Sequence, residues 1–159
     1  MRSPLWSLAV VACTALSVAC LGPASPSGKV ADAARELNLA ARFGRMDVAV
    51  ALTAPAARQA FLERRSLWGA MIRVVDLDMV GLEMSTTSEA TVLLDYSWTR
   101  NDRGVLNRTR IEQRWRENGG TWQLVRERRL NGDFGLFGEG AEEKRPPHED
   151  VHFPTRVIR

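Results

Sequence analysis

Histidine is almost missing from this sequence, and cysteine is missing from most of it. The 159 residues hold two histidines, His148 and His152, and two cysteines, Cys13 and Cys20. Between Leu21 and Pro147 there is neither a thiol nor an imidazole. That stretch therefore has no disulfide, no thiolate nucleophile and no Cys/His metal cluster. Tyrosine is as scarce, with Tyr96 alone. Blocks of one charge are also missing: 22 basic and 19 acidic residues are interspersed, for a net charge of +3. Mixed charge of that kind argues against a nucleic-acid partner. The uncharged, mostly apolar run at residues 5–19 is too short for an ordinary membrane span.

That run belongs to a targeting segment. Arg2 gives a short positive start, and residues 1–19 read as a signal peptide. The segment ends in Leu16-Ser17-Val18-Ala19-Cys20, which resembles the lipobox of bacterial lipoproteins, with Ser17 where that motif usually has Leu. The resemblance implies that Cys20 is acylated and becomes the mature N-terminus. Val10-Val11-Ala12-Cys13 fits the same pattern but leaves a barely sufficient apolar run before it. Ordinary secretion with cleavage after Ala19 is the alternative. Residues 20–28, rich in Pro, Ser and Gly, read as a flexible leash. The expected address is the bacterial cell envelope, lipid-anchored at the outer membrane on its periplasmic side in preference to the inner membrane. Acyl chains supply that anchor, each buried methylene contributing about 0.8 kcal/mol; the alternative is a secreted or periplasmic protein.

The domain proper, residues 29–138, starts with helical spacing. Val30, Ala33, Ala34, Leu37, Ala40 and Ala41 recur every three or four residues, predicting a helix over 29–43 that Gly44 stops. A short helix over 46–52 follows. A third is predicted from Thr53 as its cap, through Pro55 in its first turn, to Trp68, with Gly69 ending it. The period then changes to two. Ala90, Val92, Leu94, Tyr96 and Trp98 alternate with smaller or polar residues, as a half-buried strand requires. Asn101-Asp102-Arg103-Gly104 and Asn118-Gly119-Gly120 are hairpin signals. Residues 71–84, 90–99, 105–117 and 121–130 are thus four strands of an antiparallel meander, with a bulge expected near Gly81. In the last strand Trp122, Leu124 and Leu130 are expected to share a face with Arg126 and Arg128. The Gly-rich residues 131–138 are expected to fold back over the sheet. Residues 139–159, charged and Pro-containing, read as a disordered tail.

Helices followed by a curled antiparallel sheet make an α+β fold. The order resembles the NTF2-like superfamily, which includes SnoaL-like proteins and ketosteroid isomerases. The residues that carry the likeness are Ala41-Arg42-Phe43-Gly44-Arg45-Met46-Asp47, Leu52-Thr53-Ala54-Pro55-Ala56-Ala57-Arg58 and the closing hairpin from Trp115 through Asn118-Gly119-Gly120 to Trp122 and Leu124. The resemblance implies a cone around a pocket over residues 29–130. A cystatin-like sheet around one helix is the alternative.

Catalytic groups for such a pocket are few. With both histidines in the tail, the Asp–His pair of some relatives cannot be assembled. An isomerase-type site needs an Asp base with Tyr and a protonated acid as donors, but Asp95 and Tyr96 are strand neighbours and face opposite ways. Asp76 and Asp78 share one face and would perturb each other if buried. His148-Glu149-Asp150-Val151-His152 has the letters of a zinc-protease motif, yet Pro146-Pro147 and Pro154 leave room for barely one turn, so no metal site is assigned. No cofactor is implied, and the chain is expected to be non-catalytic. Two readings follow. In the first, an envelope lipoprotein uses an NTF2-like domain as a binding or scaffold module, docking an acidic envelope partner on Arg108, Arg110, Arg114, Arg126 and Arg128. In the second, a small-molecule binder or degenerate isomerase or dehydratase holds a small apolar ligand against Met79, Tyr96, Trp98, Trp115 and Trp122. A homodimer through the sheet stays open in both.

Overall fold

The computed structural model describes residues 25–139. The signal peptide, Cys20, most of the leash, and the tail with His148 and His152 lie outside the described residues. Helix α1 spans Pro26–Arg42. Ser25 caps it, its Oγ accepting from Gly28 N at 3.1 Å, and proline stands in the first turn, where a missing N–H costs nothing. The helix therefore begins three residues earlier than its apolar spacing suggests, and residues 26–28 belong to it rather than to the leash. Gly44, at φ +75°, lets the chain turn sharply into α2, Met46–Ala51.

Thr53 does not cap the next helix. It is fully buried, and its Oγ1 donates to Ala49 O at 2.9 Å. Residues 52–54 instead run beside the last strand: Leu124 N donates to Leu52 O and Ala54 N to Leu124 O, both at 2.9 Å. A 3-10 turn, Pro55–Ala57, leads into α3, Arg58–Arg64. This helix stops well short of Trp68, and Arg65 is its C-cap.

Four strands follow in the order of the chain: β1 Ile72–Met84, β2 Glu89–Arg100, β3 Leu106–Asn118 and β4 Thr121–Gly132. All pairings are antiparallel. The two-residue alternation of β2 is obeyed along its length, with Ala90, Val92, Leu94, Tyr96 and Trp98 inward. Helices α1 to α3 cover that inner face, and Val30, Leu37, Phe61, Ile111 and Leu124 complete the core. The bulge near Gly81 is present, as a register shift between Met79 and Gly81, and a second one lies between Val74 and Asp76.

Two more shifts, on the β3–β4 pair, correct the expected faces of β4. Trp115 pairs with Leu124 but Arg114 pairs with Arg126, leaving Val125 as an extra residue. An added residue reverses the side chains that follow it, here as far as the second shift, where Leu130 is the extra residue. Arg126 and Arg128 consequently face outward, Leu130 is 39% exposed, and Glu127 is turned into the core. Beyond β4 the chain does fold back. Leu136 is fully buried, its carbonyl accepting from Trp68 Nε1 at 2.8 Å. Glu139 belongs to this fold-back and not to the tail: its Oε2 accepts from Gly135 N and Phe137 N at 2.9 and 3.1 Å.

Gly132 closes β4 at φ +90°, where an added Cβ would lie 2.3 Å from Arg108 O. Gly104 also has positive φ, +62°, but faces open space. Gly132→Ala is expected to lower the urea midpoint clearly more than Gly104→Ala. The strained backbone alone costs about 1–3 kcal/mol, and the backbone clash adds to it.

Candidate functional site

The interior of the sheet holds a polar cluster. Arg65, 3% exposed, meets Glu127, 4% exposed, through two parallel hydrogen bonds, Nη1 to Oε1 at 2.5 Å and Nη2 to Oε2 at 2.8 Å. Arg65 comes from the end of α3 and Glu127 from β4 just past the Val125 bulge. Gln113 on β3 exchanges hydrogen bonds with Asn38 on α1, at 2.9 and 3.0 Å. Tyr96 OH donates to Asn38 Oδ1 at 2.5 Å, and Asn38 Nδ2 donates on to Ala34 O at 2.7 Å. The guanidinium of Arg65 lies 3.7 Å from the Phe61 ring centre and 4.9 Å from that of Trp68. Burial opposes the charge on Arg65, but the Glu127 carboxylate outweighs it and holds the guanidinium above its ordinary pKa. Burial pushes the Tyr96 phenol well up, so it is a neutral donor.

This cluster fills the space in which the aromatic pocket was expected. Tyr96, Trp98, Trp115 and Trp122 are 0–3% exposed and packed in the core; Met79 is half-buried against them. Trp98 Nε1 donates to Thr109 Oγ1 at 2.9 Å, which donates to Asp133 O at 2.7 Å. Asp95 and Tyr96 do face opposite ways. Asp76 and Asp78 are exposed on the outer face, opposite Ser97 and Asp95, and do not form a buried acid pair. Among the described residues no group of three or more His, Cys, Asp or Glu is placed to hold a metal ion.

Arg108, Arg110, Arg114, Arg126 and Arg128 all lie on the outer face, the last two because of the Val125 bulge, and three of the five are neutralised within the chain. Arg110 grips Asp95 with two bonds of 2.6 and 2.7 Å, and Arg128 grips Glu112 with two of 2.9 Å. Arg114 lies 3.6 Å from Glu112, and Arg116 2.9 Å from Glu89. Arg108 and Arg126 have no ion-pair partner among the described residues. The hydrogen bonds from Arg110 and Arg128 hold the Asp95 and Glu112 carboxyls below the usual carboxylate range.

The open concavity is elsewhere. A groove of about 820 Å³ runs between the end of α1, the Gly44 turn and the first half of β1. Phe43, Met46, Trp68 and Val75 give it an apolar wall, and Arg42 and Arg73 are its ionisable residues. A smaller hollow of about 180 Å³ lies between α3 and β4, beside Arg64 and Arg126. None of the five residues expected to line a pocket borders either one. The groove residues carried no chemical signal in the sequence. Phe43, an aromatic after the last periodic position of α1, was the one available hint.

No family model matches the sequence, and no curated protein matches it. Solved structures do. A SEC-C motif containing protein from Rhodopseudomonas palustris is 18% identical with a TM-score of 0.56, over 68% of this chain and 82% of that one. A ketosteroid isomerase-like protein from Erwinia carotovora atroseptica is 13% identical with a TM-score of 0.51, over 64% and 92%. An NTF2-like protein from Cytophaga hutchinsonii is 12% identical with a TM-score of 0.48. The fold is the NTF2-like α+β cone. At these identities the likeness reaches the cone's architecture and stops short of its chemistry.

Two predictions follow from the cluster and the outer face. Arg65→Met and Glu127→Leu, made singly, are each expected to cost about 3–5 kcal/mol, because either strands a buried charge. The double variant should regain much of that loss, as read by urea denaturation in a double-mutant cycle. On the outer face the sign runs the other way with acid. The depressed carboxyls of Asp95 and Glu112 stabilise the fold above the ordinary carboxylate pKa, about 4. That contribution disappears as pH falls through their lower folded values. Asp95→Asn with Glu112→Gln should therefore flatten the dependence of the urea midpoint on pH below about 4.

Proposed function

We propose that this chain is a lipid-anchored, non-catalytic binding module of the bacterial cell envelope, built on an NTF2-like cone. The observation that carries the non-catalytic half is the filled interior. The space a cone offers to a substrate is occupied by Trp98, Trp115 and Tyr96 and cross-tied by Arg65, Glu127, Gln113 and Asn38. The buried acid, Glu127, is held by both of its oxygens, and the one tyrosine spends its proton on Asn38. Neither is free to move a proton on a bound molecule. The anchor rests on the Leu16–Cys20 motif. Among the described residues no helix is long and apolar enough to cross a membrane.

Binding on this reading uses the rim and the outside of the cone. The groove beside β1 has the size of a small-molecule site, about 300–1,000 Å³. On the outer face, the unpaired Arg108 and Arg126 suit an acidic envelope protein.

Mass spectrometry of the mature chain tests the anchor. The expected N-terminal peptide begins at an acylated Cys20, and Cys20→Ser abolishes the modification; an unmodified Cys20 in the wild type removes the anchor. Assay of the purified chain with a ketosteroid substrate is expected to give no turnover above the protein-free rate. Sustained turnover would overturn the non-catalytic reading.

A further inference from the structure

We propose that the groove beside β1 is a site for a long-chain monocarboxylate, a free fatty acid. Its chain lies along Phe43, Met46, Trp68 and Val75, and its head is taken by Arg73. The inference deepens the binding-module reading and rests on it.

The wall of the groove points to an apolar occupant. Phe43 is 69% exposed, the most exposed large apolar side chain among the described residues, and Val75 and Met71 nearby are exposed as well. The guanidinium of Arg42 leans over the Phe43 ring at 5.2 Å. Val75 is the extra residue of a β-bulge on an edge strand, so its side chain is not drawn into the sheet's alternation. A large aromatic and an aliphatic left in water on either side of one concavity mark a surface that has something to cover it.

Charge selects the head group. Arg42 and Arg73 are the only ionisable residues lining the groove. Arg42 is already engaged: it donates to Val75 O, and Asp76 lies 3.9 Å away. Arg73 has no ion-pair partner among the described residues. One uncompensated cation beside an apolar wall fits one negative charge. A polyanion would bring charge that the groove cannot pair, and a cationic amphiphile would meet two arginines. The planar fork of arginine matches a carboxylate with two parallel hydrogen bonds. Chain length supplies the remaining affinity, on the order of tenfold for each pair of buried methylenes, so a short carboxylate such as acetate does not bind.

The test uses the full chain, purified in a non-ionic detergent and photolabelled with a diazirine-bearing hexadecanoic acid. Peptide mapping is expected to place the label within residues 41–46 and 68–75. Excess hexadecanoate should displace it, and hexadecyltrimethylammonium should not. Arg73→Gln should cut labelling about tenfold while the melting temperature stays unchanged, since Arg73 makes no ion pair among the described residues. Label spread over the surface, equal competition by the cationic amphiphile, or undiminished labelling of Arg73→Gln overturns the assignment. Those results, with Cys20 acylated and no turnover, would remove the fatty acid and leave the binding module standing. Groove labelling that persists on a chain with an unmodified Cys20 supports the site and sinks the anchor instead.

Discussion

Arg65 and Glu127 meet inside the sheet from opposite walls, one at the end of α3 and one on β4. A bidentate pair of this kind tolerates little displacement, so it fixes how far α3 lies from β4 and at what angle. Such a pair is no gift to stability. Taking both charges out of water costs several kcal/mol per ion, and their attraction returns that only when geometry and further hydrogen bonds are good. Further partners are present on both sides, Phe61 O, 3.3 Å from Arg65 Nη1, and Gln113 Nε2, 3.4 Å from Glu127 Oε2, while Arg65 Nε is buried with no partner among the described residues. Gln113 in turn reaches Asn38 on α1. The pair is thus the centre of a lattice that ties α1, α3, β2, β3 and β4 to one geometry. An apolar core of the same volume would hold these elements together without specifying their orientation so narrowly.

The lattice exists because of a single added residue. Without the Val125 bulge, Glu127 would point to solvent and Arg126 and Arg128 into the core. Alternation counted from Trp122 predicts that arrangement, and the error is instructive. Period-two reading assumes an uninterrupted ladder, and nothing in Leu124-Val125-Arg126 resembles a turn or contains a glycine. The bulge near Gly81 was legible because a glycine interrupts the pattern there. Strands, hairpins and their order were legible throughout, since Asn-Gly and Asn-Asp-Arg-Gly turns and the unbroken alternation of β2 depend only on local chemistry. The early end of α3 was not. Ala57, Phe61 and Trp68, four and then seven residues apart, carry a helical spacing past Arg65, and the tertiary pull of Glu127 and of the Gly69–Ile72 contact overrides it.

The polar members of the interior were half legible. Gln113 stands on the apolar side of β3, between Ile111 and Trp115, and Asn38 lies four residues after Ala34 on the apolar stripe of α1. A polar residue on a buried face must find a partner, so both positions announce a network without saying what it contains. Tyr96 lies inward, as the alternation of β2 requires, but alternation reports which face a side chain occupies and not whether that face is hollow. The groove residues gave less still. Arg42, Arg73 and Val75 are ordinary in their own elements, and only the meeting of a helix end with a bulged edge strand makes a concavity of them.

That meeting also bears on where this cone can act. A four-stranded sheet has two open edges, each a row of unsatisfied backbone groups. The edge of β4 is covered at Leu124 by residues 52–54, and the start of β1 by the turn at Leu67–Gly69, where Ile72 N donates to Leu67 O at 3.0 Å and Gly69 N to Ile72 O at 2.8 Å. Farther along β1, Arg42 reaches from α1 to cap Val75 O. Between the turn and Arg42 the strand has no cover, and that gap opens into the groove. With the inside of the cone packed and most of the outer face neutralised by its own ion pairs, the rim is where apolar surface and unpaired charge remain side by side. Here the centre of the cone is packed and the seam beside β1 is exposed. On the proposed reading, recognition depends on how α1 ends and how β1 begins, and the lattice around Arg65 and Glu127 acts on it only by holding those two elements in place.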